Sequence, residues 1–298
     1  MKKNILLVLG TLALLATLPA RAWTYTNGDL LLIFRDGHNN VEFDLGSVTN
    51  FLGHTNGYTA PVTGWNPNIV NATFPSLSGV KVVLLASSGQ TDPNPTAWLS
   101  SAEPNTTAYT VSAQGWSRFY GIVSALGTRP LFYGVPAAET NAYALASSSL
   151  ASYDYIVSGG TSSGTLALPL LGGNAPFTVE QAIPGLLDFW SIQPSSANPK
   201  PPDHLVGTFY LTSGGVLTFV AGPRPSTIVG LSRSGTVSTV QFTTTVGNTY
   251  ALSYTNSLGG PAATWPVDAS TLVGDGNINS ISHTTVAGDA EFYRVGVQ

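Results

Sequence analysis

The segment Gly160-Thr161-Ser162-Ser163-Gly164 matches the G-x-S-x-G pattern of a nucleophile elbow, in which a strand-to-helix turn exposes a serine hydroxyl. The match lies in a Ser/Gly-rich run, and Thr165 to Leu171 has no polar helical face, so a plain loop is the expectation. The four histidines, His38, His54, His204 and His283, occur singly. No H-x-H or H-x-x-x-H spacing offers a zinc site, and they read as exposed turn or loop residues.

Glycoside hydrolysis needs two carboxyl groups about 5 to 10 Å apart. The acids of the larger region are Glu103, Glu139, Asp154, Glu180 and Asp188. Asp154 lies between Tyr153 and Tyr155, and Asp188 precedes Phe189-Trp190, so apolar surroundings could raise either carboxyl pKa. Neither has a second acid nearby in sequence. The plainer reading is of solvated or capping carboxylates. A glycoside or ester hydrolase would have to assemble its residues from distant segments.

Asp275-Gly276-Asn277-Ile278-Asn279 places oxygen ligands at alternate positions, as a calcium loop begins. The EF-hand pattern then fails, because Ser280 and Val286 stand where Gly and Glu are needed. Calcium stays open through a different loop using Asp268 or Asp289, against an Asp-Gly turn as the simpler reading. No other cofactor is expected.

Two long polar stretches carry isolated aromatics: Gly53 to Asn68 with Tyr58 and Trp65, and Ser87 to Ser112 with Trp98 and Tyr109. Function concentrates on loops held by a rigid scaffold. Aromatic faces stack on sugar rings, and Asn56, Asn66 and Asp92 nearby could bind hydroxyls. These seven residues are the candidate ligand-binding set. The competing expectation is that the rings fold back onto the sheet.

The elements that must carry these residues follow from composition and pattern. Lys2 and Lys3, the apolar run Ile5 to Leu18, Pro19 and Ala20-Arg21-Ala22 form an export signal with cleavage expected after Ala22. The product is expected to be secreted or held at the cell surface. The leader holds three of the 11 Lys and Arg residues and no acid, so the processed chain carries net charge −7. That balance, with no downstream basic cluster, argues against nucleic acid and anionic lipid as partners. Cysteine is absent, which excludes thiolate chemistry and disulfides. No later apolar run reaches the ~20 residues of a membrane helix.

Gly and Pro are plentiful and scattered, favouring turns over long helices. Leu30 to Leu45 reads as a hairpin around Asp36 to Asn40, Val80 to Ala86 as a central strand, Leu131 to Val135 as another, and Gly207 to Val220 as a second hairpin. Trp116, Phe119, Tyr120, Val123 and Leu126 fall at helical spacing, with Gly127 and Pro130 as stops. A weaker helical stretch runs from Tyr143 to Val157. Thr178-Val179-Glu180-Gln181 has the form of a capping box opening a short helix. The segment 222–226 is Pro-rich and reads as a linker. Beyond it, short strand-like runs fill the rest of the chain. The expected fold class is mainly β: a β-rich α+β domain over 23–221, followed by a small Ig/fibronectin-like β-sandwich over 227–298.

The segment Tyr250 to Leu258, with Trp265 and Glu291-Phe292-Tyr293-Arg294-Val295, resembles a C-terminal β-module of secreted bacterial proteins. Its rings Tyr250, Tyr254, Trp265 and one of Phe292 or Tyr293 are expected to fill a sandwich core. The segment Tyr25 to Arg35 is similar to the start of uncharacterised exported proteins of Gram-negative bacteria. The hairpin at Gly207 to Val220 resembles the strand pair that precedes their Pro-Glu-Pro sorting tag, which this chain replaces with the module. The resemblance implies export and fold and is silent on activity. The functional expectation is a non-enzymatic extracellular protein that contacts polysaccharide, matrix or a cell-surface protein. The alternatives are a structural envelope or fibre component, or the hydrolase above.

Overall fold

The runs Leu30 to Phe34 and Val82 to Ala86 are strands buried on both faces. The computed structural model describes residues 23–102, 109–158, 178–194, 204–223, 226–244, 248–258, 264–274, 278–285 and 291–297. Residues 1–22, read from sequence as an export signal, Glu103, the Gly160 to Gly164 match, Asp275 to Asn277 and Asp289 lie outside the described residues.

Strands β1 (Asp29–Arg35) and β2 (Asn39–Ser47) form the expected first hairpin. Asp36 closes its turn, its Oδ1 accepting from the backbone N–H groups of His38 and Asn39. Next come β3 (Thr59–Pro61), α1 (Pro67–Thr73), β4 (Lys81–Ser87), β5 (Ala97–Ser101), α2 (Ala113–Phe132), β6 (Ala142–Ala146) and α3 (Tyr153–Val157). Then follow β7 (Gln181–Ala182), β8 (Gly185–Ile192), β9 (His204–Leu211) and β10 (Leu217–Ala221). These ten strands make one sheet in the order β3-β10-β9-β8-β5-β4-β1-β2-β6, with β7 paired beside β4. Its strand pairings are antiparallel.

Side chains alternate across the sheet, so each strand feeds two cores. Leu31, Ile33, Val83, Leu85 and Leu99 face one side and meet Trp116, Phe119, Val123 and Leu126 of α2 and Tyr153 of α3. Leu30, Leu32, Phe34, Val82, Leu84, Phe189, Phe209 and Phe219 face the other and meet Val70 of α1 and Phe74. Each buried large apolar side chain contributes about 1.5 to 3 kcal/mol. Double-sided burial explains why Leu30 to Phe34 and Val82 to Ala86 are continuous apolar runs rather than alternating ones.

Two local expectations fail. Leu131 to Val135 is not a strand, because α2 continues through Pro130 to Phe132. Gly127 does not stop that helix; it makes room for Tyr25, whose ring lies where a Cβ would sit. Trp23 is 2% exposed beside it, its Nε1–H donating to the Gly127 carbonyl at 2.7 Å. Thr178 to Gln181 opens no helix either. Gln181 enters β7, and Glu180 turns inward to an arginine. The weaker helical stretch from Tyr143 divides into β6 and α3.

The remaining strands are β11 (Ile228–Ser234), β12 (Val237–Thr243), β13 (Thr249–Thr255), β14 (Val267–Val273), β15 (Ile278–Thr284) and β16 (Phe292–Val297). They form two three-stranded sheets, β11-β12-β15 and β14-β13-β16. Val240, Phe242, Tyr250, Leu252 and Ile281 make a small core that Tyr293 joins, whereas Trp265 is not part of it. His283 of β15 is not an exposed loop histidine but 8% exposed, and it bridges the sheets. Its Nδ1 lies 2.6 Å from Asp268 Oδ2 on β14, its Nε2 lies 3.7 Å from Glu291 Oε2, and Tyr254 packs on its ring at 3.9 Å. Asp268, a calcium candidate from sequence, is thus engaged by this histidine. Among the described residues, no cluster of His, Asp and Glu has the arrangement of a metal site. No described helix is long and apolar enough to cross a membrane.

Candidate functional site

The seven aromatic and polar candidates do not converge on one surface. Tyr109 is 4% exposed in the α2-side core, edge-on to Trp190 at 5.0 Å, with its hydroxyl 3.0 Å from Ser101 Oγ. It is a core residue and presents nothing to a ligand. Trp65 stacks on Phe34 at 5.7 Å on the opposite side of the sheet, the folded-back arrangement. Asn66 caps α1 through its side-chain oxygen, and its Nδ2 donates to Glu139. Asp92 closes its own turn by accepting from Asn94 N–H at 2.8 Å. That leaves Trp98, Asn56 and Tyr58.

Trp98 and Asn56 line the same groove, of ≈ 460 Å³, together with His54, Thr96, Ser191 and His204. Strand register builds its floor. Trp98 on β5 is the partner of Ser191 on β8, and Ser191 is the partner of His204 on β9. Directly opposed residues project to one face, so these three side chains form a row spanning about 10 Å. On the other flank Trp98 is opposite Ala86. A large ring between Ala86 and Ser191 stands above both neighbours, which leaves it half-buried beside open space.

The wall of the groove is the segment Phe51 to Tyr58. Phe51 anchors it by packing on Phe209 and Phe219 at 5.2 and 5.3 Å. The backbone of Gly57 donates to the Ala221 carbonyl, and Ala221 donates back to Tyr58. Gly53 holds φ at +72°, which lets the chain turn sharply into His54. His54 Nε2 lies 3.0 Å from the Asn50 carbonyl, and its ring stacks on Tyr58 at 4.0 Å with 5° between planes. Tyr58, 42% exposed, therefore extends a flat aromatic surface from the groove wall.

The acids considered for hydrolysis are occupied elsewhere. Arg35, at the end of β1, donates from Nη1 to Asp154 Oδ1 at 2.7 Å and from Nη2 to Glu180 Oε2 at 2.6 Å. Asn40 Nδ2 donates to Asp154 Oδ2 at 2.6 Å, and the Tyr153 hydroxyl donates to Glu180 Oε1 at 2.9 Å. Lys81 Nζ lies 3.8 Å from Glu180. All four carboxylate oxygens thus accept hydrogen bonds inside the protein. Asp188 is fully buried, with Thr208 donating to it at 3.3 Å.

Glu42 lies against this cluster, 1% exposed, its Oε1 accepting from Tyr153 N–H at 2.7 Å. Burial raises its pKa to about 8; the Tyr153 hydrogen bond lowers it and the Asp154 charge adds to the rise. Glu42 is therefore protonated at neutral pH. The remaining charges balance, with Asp154 and Glu180 against Arg35 and Lys81. This network stitches β1, β2, β4, α3 and the segment before β7 together, and its work is structural.

Sequence reasoning missed His54, Thr96, Ser191 and His204. The histidines were conspicuous but isolated, and only the β5-β8-β9 register places His204 in line with Trp98. No family model, no curated protein and no solved structure matches this chain.

Proposed function

We propose that this chain is an exported, non-enzymatic protein of the bacterial cell exterior that binds polysaccharide, matrix or a cell-surface component through the Trp98 groove. One observation carries the reading: the row Trp98-Ser191-His204 is walled by His54 and Asn56 in a groove of ≈ 460 Å³. An aromatic ring beside hydroxyl, amide and imidazole groups is the chemistry that recognises a sugar, whose C–H face packs on the ring while its hydroxyls find polar partners. Export by the leader, with cleavage after Ala22, belongs to the same proposal.

The test is a glycan array probed with the processed protein and its Trp98→Ala variant. Removing a central aromatic anchor costs about 2 kcal/mol, some thirtyfold in affinity. Binding that survives in the variant refutes the groove as the site, and no binding to any glycan removes the polysaccharide version of the reading.

A second reading, a structural envelope or fibre component, is favoured by β11. This edge strand exposes Ile228, Val229 and Leu231, the last at 60%. Exposed apolar edges invite pairing between copies. Sedimentation across a hundredfold concentration range decides it, because a strict monomer throughout eliminates assembly through β11.

A further inference from the structure

We infer that the ligand of the Trp98 groove is an acidic polysaccharide, with a hexuronate unit seated against Trp98 and its carboxylate directed to the histidines. The inference rests on the proposed sugar-binding reading and narrows it to one chemical class.

Two of the chain's four histidines, His54 and His204, line this groove, although it is formed by few residues. Among the described residues of its lining, none is Asp, Glu, Lys or Arg. The described lining therefore offers a carboxylate ligand no like charge to repel it. A protonated imidazole donates from both nitrogens, so His54 can meet a carboxylate through Nδ1 while its Nε2 stays on the Asn50 carbonyl, and the positive charge suits the anion. Asn56, Thr96 and Ser191 add neutral donors suited to ring hydroxyls. An amino sugar, by contrast, would find no carboxylate among the described lining residues to hold its ammonium group. His204 begins β9 two strands from Trp98, so the row spans about 10 Å from ring to imidazole. A hexuronate packed on the indole would point its C6 carboxylate along this row toward His204.

The net charge makes the test selective. A chain of net charge −7 repels polyanions in general, so retention on one reports a local site rather than bulk attraction.

The experiment is titration calorimetry of the processed full-length protein with oligogalacturonate, with its methyl ester, and with a neutral β-glucan oligomer. The ester keeps the ring and removes the charge. The expected result is binding of oligogalacturonate, weakened at least tenfold by esterification. His54→Gln and His204→Gln should each weaken oligogalacturonate binding three- to tenfold and leave ester binding unchanged. Thermal melts confirm that the variants fold. Equal affinity for acid and ester, or histidine variants with no effect, overturns the uronate inference. If neutral glucan then binds in a Trp98-dependent way, the broader sugar-binding reading stands without it. Failure of every sugar removes both.

Discussion

Glu42→Gln tests whether a buried, protonated carboxyl sits beside the Arg35 cluster. Glu42 is fully enclosed, with its folded pKa raised by burial to about 8. In the unfolded chain a glutamate ionises near 4.3. Between those values the native state holds a proton that the unfolded state has released. Stability therefore falls as pH rises across that window and is level outside it. Each pH unit withdraws about 1.4 kcal/mol, so roughly 3 to 4 kcal/mol is lost by pH 7. Glutamine keeps the oxygen that accepts from Tyr153 N–H and has no proton to lose. The difference in unfolding free energy between variant and parent should thus grow in the variant's favour by roughly 3 kcal/mol from pH 4.5 to pH 7. In a domain of this size that is about 6 to 12 °C in melting temperature. Urea denaturation at half-unit pH intervals measures it. Asp44, whose pKa burial raises to about 6, adds its own slope to the parent, but it is common to both proteins and cancels in the difference. A pH-independent offset added to that slope would reflect the new amide's packing and leave the argument intact. A flat difference from pH 5 to pH 8, or one that grows in the parent's favour, would falsify a protonated Glu42.

Arg35→Met should cost about 3 to 5 kcal/mol in urea unfolding at pH 7, because Asp154 and Glu180 are left buried without their shared cation. Loss below 1 kcal/mol would mean that the pair is not enclosed as described. Asp268→Asn should lower stability at neutral pH. The hydrogen bond from His283 depresses the Asp268 pKa, so its contribution is present above the ordinary carboxylate range and disappears as pH falls through the folded value. Parent and variant melts should therefore converge in acid, and a gap that widens there counts against the bridge. Gly207→Ala should cost about 1 to 3 kcal/mol by thermal denaturation, because its new methyl would lie 2.4 Å from the Val220 carbonyl oxygen. An unchanged melt would show that β9 and β10 separate easily.

The hairpins at Leu30 to Leu45 and Gly207 to Val220 were legible because turn chemistry and apolar pattern sit within a few residues of one another. Val80 to Ala86 was legible as a central strand because no polar residue interrupts it. The errors have distant causes. Gly127 reads as a helix stop until Tyr25, about a hundred residues earlier, is seen filling the space above it. Glu180 reads as half of a capping box until Arg35 claims it across 145 residues. The groove was half legible. Trp98 and Asn56 stood out as an aromatic and an amide in polar loops, but their partners depend on strand register, which leaves no local trace. Tyr109 and Trp65 looked equivalent to Trp98 in sequence. The sheet put Tyr109 in the α2-side core and left Trp65 and Trp98 on the other face, where Trp65 stacks on Phe34 and Trp98 borders the groove.

Trp23 has a consequence for the order of events in maturation. It stands next to the expected cleavage point and is already clamped on α2 by its indole N–H. A peptidase grips several residues of extended backbone around the bond it cuts. Once the indole is seated, Trp23 itself is buried and no longer free to be gripped. If a leader is removed there, scission must come before the indole is seated.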